Sequence, residues 1–160
     1  MRPGQILVAD HQGVYVIKMV GDVRLTLCIS FDQFIDAMFS QADFSGVLFD
    51  LTEAEAIDST TLGLMAKIAL QGREQRDVIP VVYSSNPSIN RLLETMGFDE
   101  ILKIVNDLEP PVSADTPLPD KAIEESRVKD KVLEAHKILM SLNENNRETF
   151  RNLVNMLEKT

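Results

Sequence analysis

The sequence predicts an α/β fold: a mixed β-sheet covered by helices, followed by a two-helix extension behind a proline-rich linker. Three observations predict it. Short apolar runs rich in β-branched residues alternate with amphipathic segments over the first two thirds of the chain. The first two runs are separated by His11-Gln12-Gly13, a spacing that suits a hairpin and so a mixed rather than an all-parallel sheet. Pro110, Pro111, Pro117 and Pro119 then crowd one polar stretch and end the alternation.

The elements follow in order. Ile6 to Ala9 and Val14 to Val20 are the hairpin strands. Arg24 to Ser30 alternates loosely, with Leu25, Leu27 and Ile29 on one face, and reads as a third extended piece. Phe31, Phe34, Ile35, Met38 and Phe39 recur at helical spacing, with Ser30 placed to cap the helix and Asp32 to favour its positive end. Val47 to Leu51 is a continuous apolar run, as in a central strand buried on both faces. Ser59 to about Gln75 is helical, with Leu62, Met65, Ala66, Ala69 and Gly72 on one side. Val78 to Tyr83 is the next strand, and Pro80 places it at an edge or near its own start. Asn86-Pro87 opens a helix as cap and first residue, and Gly97 stops it. Ile101 to Val105 closes the series. Beyond the linker, Val128, Val132, Ala135, Leu139 and Leu142 form one apolar stripe. Phe150, Leu153, Val154 and Leu157 form another, after the break at Asn143 to Asn146. Helices this short are marginal alone, so the stripes must dock on each other, on the domain or on another molecule. The expected division is 1–106 for the α/β domain, 107–119 for the linker and 120–160 for the helical tail.

Composition narrows the function. The 160 residues suit one domain with an appendage. A formal net charge of −9 argues against nucleic acid and against anionic membrane surfaces. The absence of Trp, with only two Tyr, leaves little to stack on bases. The N-terminal apolar run is too short for a signal segment, and no stretch reaches the length of a membrane span. The single cysteine, Cys28, excludes an internal disulfide and fits a reducing cytoplasm.

Ala56 to Gly63 is the most informative segment, because it joins a buried strand to a helix start. Asp58 or Ser59 can simply cap the helix. Alternatively, Ser59 is an acceptor hydroxyl where helix amides meet an added phosphate, and Asp58, Glu55 and Glu53 would repel that phosphate. Asp50, Glu53, Glu55 and Asp58 place four carboxylates close together, but no glycine-turn calcium loop accompanies them, so they read as an acidic loop facing solvent. His11 and His136 are the only histidines; no nucleophile–base arrangement and no glycine-rich phosphate cradle is legible. The expectation is therefore no enzyme, no cofactor and no metal.

The strand order, the run Val47 to Leu51 and the segment Asp58-Ser59-Thr60-Thr61-Leu62-Gly63 together resemble the STAS domain of bacterial anti-sigma factor antagonists. That family carries Asp-Ser-Ser/Thr-Gly-Leu-Gly at the start of its second helix. Thr61 departs from it, as does Gly21-Asp22-Val23-Arg24 where Gly-Glu-Leu-Asp is usual. The resemblance spans about Gln5 to Val105 and implies a STAS-like sheet. It also implies partner switching: a serine kinase/anti-sigma factor binds the unphosphorylated form and phosphorylates Ser59, and a cognate phosphatase reverses this. Asp58, Ser59, Thr60 and Lys67 would form the partner surface, with a second protein reachable through the tail. Length and tail are similar to antagonists that tune motility and biofilm formation. Two alternatives stand beside it. One is a receiver domain phosphorylated on Asp50; the other is a non-switching scaffold that binds through its tail.

Overall fold

A left-handed turn starts the sheet. In the computed structural model, which describes residues 2–106, 113–120 and 124–160, β1 (Gln5–His11) and β2 (Val14–Val23) pair antiparallel from Gln5 opposite Val20 to His11 opposite Val14. Gln12 and Gly13 join them with φ of 57° and 96°. Positive φ at both central positions is what a two-residue hairpin turn compatible with strand twist demands. No helix intervenes between Asp10 and Val20, so the receiver alternative fails on its first element.

The chain next departs from expectation. Arg24 to Ser30 is not a strand: Leu25–Leu27 form a 3₁₀ turn that runs into α1 (Cys28–Phe39). The Leu25 amide donates to the Asp58 carboxylate at 2.6 Å, and that bond turns the backbone out of the sheet. Nor does Ser30 cap α1. It lies inside the helix, where its hydroxyl donates to the Pro119 carbonyl. Phe31, Ile35 and Met38 of α1 are buried as their spacing predicts.

Strand β3 (Gly46–Ile57) is longer than its apolar run and pairs parallel with both β2 and β4 (Val81–Tyr83). It therefore lies inside the sheet, whose order is β5-β4-β3-β2-β1-β6. Pro80 precedes β4, which is not an edge strand, because β5 (Lys103–Val105) pairs on its far side. Helix α2 (Ser59–Arg76) ends at Asp77 with φ of 55°. Helix α3 (Pro87–Thr95) is capped by the Asn86 side chain and stops at Gly97.

Two further pieces complete the chain. Thr116–Pro117, as β6, pairs antiparallel with the outer edge of β1. Proline is tolerated there because an edge strand need not donate outward. The first half of the expected linker, residues 107–112 with Pro110 and Pro111, lies outside the described residues, as do 121–123 at the head of the expected tail. Helix α4 (Glu125–Leu142) and helix α5 (Glu144–Glu158) are joined at Asn143, whose side chain accepts from the Asn146 amide. Helix α5 folds back along α4, so that Lys129 reaches the Thr160 carbonyl. Leu139 and Phe150 join the main core. Leu153, expected inside, is exposed on α5; the contacts of Phe150 and Val154 set the inner face one side of it.

Candidate functional site

The site grows from the end of β3. Asp58 is extended, with φ of −79° and ψ of 167°, the backbone shape of an N-cap. One carboxylate oxygen accepts from the Thr61 amide at 2.9 Å and the other from Leu25. A single side chain thus satisfies the α2 terminus and pins the 3₁₀ turn beside it. Ser59 becomes the first residue of α2, half-buried, with its hydroxyl at the positive end of the helix.

That hydroxyl is occupied. Ser59 Oγ lies 2.7 Å from Nε2 of His136, on α4. The other ring nitrogen, Nδ1, lies 2.6 Å from the Val132 carbonyl. A carbonyl can only accept, so Nδ1 carries the hydrogen; in the neutral ring Nε2 is then the acceptor and Ser59 donates. His136 is only 2% exposed, and Phe150 stands edge-on to its ring at 5.0 Å. Sequence reasoning missed this pair. A signal was present: His136 sits on the apolar stripe between Val132 and Leu139, and a polar group on such a stripe needs a partner once buried.

Around this bond, α4 is seated along α2. Gly63 makes the close approach possible: a Cβ built on it would fall 2.6 Å from both the Cβ and the carbonyl carbon of Ala135. One turn further, Lys67 reaches Asp32 of α1 at 2.9 Å and Glu134 of α4 at 2.7 Å. Lys131 of α4 takes the other Asp32 oxygen at 2.7 Å. Burial alone would raise the Asp32 pKa, but hydrogen bonds from Lys131 and Lys67 outweigh it and hold the carboxyl below its ordinary value. Burial likewise works to lower both lysines, and their carboxylate partners lift them above their ordinary values. Thr60 is buried, and Lys67 is engaged beneath α4 rather than open to solvent. The other two residues expected at a partner surface, Asp58 and Ser59, are half-buried, and Asp58 lines a cleft together with Arg24, Leu25 and Thr26.

The acidic group of the sequence does not converge. Asp50 is buried, and one of its carboxylate oxygens accepts from both the Thr52 amide and the Thr52 hydroxyl. Glu53 and Glu55 are part of β3 rather than a loop. Glu53 pairs with Lys18 and Glu55 with Arg2. Among the described residues, no group of three or more His, Cys, Asp or Glu side chains could hold a metal ion. Burial, with Asp58 and Asp32 adding to it, pushes the Cys28 thiol up to about 11. No helix among the described residues is long and apolar enough to cross a membrane.

Comparison with known proteins agrees with this architecture. A family model of the STAS domain matches residues 5–110. Among solved structures, the chain is similar to an anti-sigma factor antagonist from Mycobacterium paratuberculosis, with 23% identity and a TM-score of 0.56, over 67% of this chain and 89% of that one. At that identity the likeness concerns the fold. No curated protein matches significantly. Helices α4 and α5 lie beyond the residues matched by the family model.

Proposed function

The chain belongs to the STAS domain family, and from that premise we propose that it is an anti-sigma factor antagonist working by partner switching, with Ser59 as the switch. The observation that supports this most directly is the placement of Ser59. Its hydroxyl stands at the N-terminus of α2, behind an Asp58 cap, within Asp58-Ser59-Thr60-Thr61-Leu62-Gly63. A serine kinase/anti-sigma factor would bind the unphosphorylated chain and move the γ-phosphoryl group of ATP to Ser59 Oγ, and a phosphatase would remove it. The chain is then a substrate and a binding module rather than an enzyme, and its place is cytoplasmic, in the control of motility and biofilm formation.

The physics of the switch is local. A phosphate adds about −1.5 to −2 charges beside the Asp58 carboxylate. An uncompensated charge inside an interface costs roughly 3–5 kcal/mol, which is about a hundredfold to several-thousandfold in affinity. A second protein at the tail is the reading favoured by Leu153 and Met156, which are exposed on α5.

Co-purification of wild-type, Ser59→Ala and Ser59→Asp chains from the native host tests the proposal. Wild-type protein should carry phosphate on Ser59, and Ser59→Ala should retain a partner that Ser59→Asp partly loses. A partner list indifferent to all three, with no phosphate on Ser59, would overturn it.

A further inference from the structure

The α2 face that bears Ser59 is not free; it is a helix-docking surface, and a segment of the same chain is seated on it. Three independent contacts hold α4 there. Ser59 is bonded to His136, Gly63 is closed against Ala135, and Lys67 and Lys131 share Asp32 across α1, α2 and α4. Ala135, His136 and Leu139 are each at most 2% exposed, so the seat excludes water.

We propose that α4 is a built-in competitor for the Ser59 face, so that the tail must lift before any partner or kinase can engage α2. The proposal rests on the reading of Ser59 as the switch and adds to it the regulation of that site. The steric case is direct. A kinase must surround Ser59 Oγ with its own groups and the γ-phosphate of ATP, yet the approach is filled by the imidazole at 2.7 Å. A helix from a trans partner would need the close approach at Gly63 that Ala135 already uses. It would also need an acidic side chain for Lys67, the place of Glu134. Tail and partner therefore occupy the surface in alternation. A tail docked in nine-tenths of molecules or more weakens apparent partner affinity about tenfold or more.

A thiol placed at position 59 measures this without any partner. Ser59→Cys is introduced in the full chain and the N-ethylmaleimide reaction at that position is followed by peptide mass. The native Cys28, 1% exposed, is resolved as a separate peptide. The folded chain should react about tenfold or more slowly than the same chain in urea. Adding Ala135→Gln, which wedges α4 away from Gly63, should restore most of the rate. So should Lys131→Glu, which sets two carboxylates together at Asp32 and removes no core atom. Backbone amide exchange in β2 and β3 should stay slow in all three, as a check that the domain remains folded. A folded chain that reacts within twofold of the urea rate would overturn the proposal. So would protection that survives both tail substitutions, because burial at position 59 would then belong to the domain alone. Failure of the switch reading is a separate result: it appears as unphosphorylated Ser59 in the co-purification, whatever the labelling rates.

Discussion

Asp32 ties three helices with one carboxylate, and its removal separates charge from packing. It is 4% exposed and receives one lysine on each oxygen. Asp32→Asn keeps the shape but leaves Lys67 and Lys131 facing each other. Breaking a buried pair costs about 3–5 kcal/mol; because both lysines are partly exposed and Glu134 still faces them, roughly 2–3 kcal/mol is expected here. The pH dependence has a definite sign. The Asp32 pKa is lowered by folding, so its contribution is complete above the ordinary carboxylate range and fades as pH falls through the lowered value. The lysine values are raised, so their contribution is complete below the ordinary lysine range and fades as pH rises through the raised values. Thermal melts of wild type and Asp32→Asn should therefore differ by a constant amount near neutrality, and the gap should close on acidification. A gap that persists below the carboxylate range would mean that the substitution acts through packing instead of charge.

At the scale of elements, the close contact of α2 with α4 makes Gly63 the informative position. In a free helix, glycine to alanine is favourable by up to about 1 kcal/mol. Here the new methyl group meets backbone atoms of Ala135, which cannot move without moving α4. Overpacking of that kind costs about 1–3 kcal/mol. Gly63→Ala should lower the melting temperature of the full chain, and should be neutral or stabilising in a chain ending at residue 120. Equal losses in both chains would place the role of Gly63 within the domain. The same contrast explains what the sequence disclosed. The hairpin turn, the Asn86 cap and the stop at Gly97 were legible, and the α2 cap was narrowed to Asp58 or Ser59, because each is decided by residues within a few positions. The segment Arg24 to Ser30 was misread because its fate is decided by Asp58, 33 residues past Leu25. The bond of Ser59 to His136 spans 77 positions, and apolar spacing in the tail could say that α4 must dock but not on which face.

At the scale of the whole molecule, the proline-rich segment does more than connect. Its described part closes the open edge of the sheet: Leu7 and Val8 pair with Pro117 and Thr116, and the Leu118 amide donates to the Ile6 carbonyl at 2.8 Å. His11 and Ser30 hold the same segment at either end, through the Ser113 and Pro119 carbonyls. A strand edge left with unpaired amides and carbonyls is a template for a second chain, and proline on a covering strand blocks further addition. Two truncations isolate this role. Removing 121–160 uncovers α2 but keeps β6, whereas removing 113–160 uncovers α2 and the β1 edge together. Because both expose the same helix face, any difference in association between them belongs to the edge. Sedimentation velocity should show the longer truncation forming dimers or larger species as concentration rises, while the shorter one stays closer to monomer. If the two sediment alike at every concentration, the short β6 strand protects nothing, and whatever association appears belongs to the uncovered face of α2.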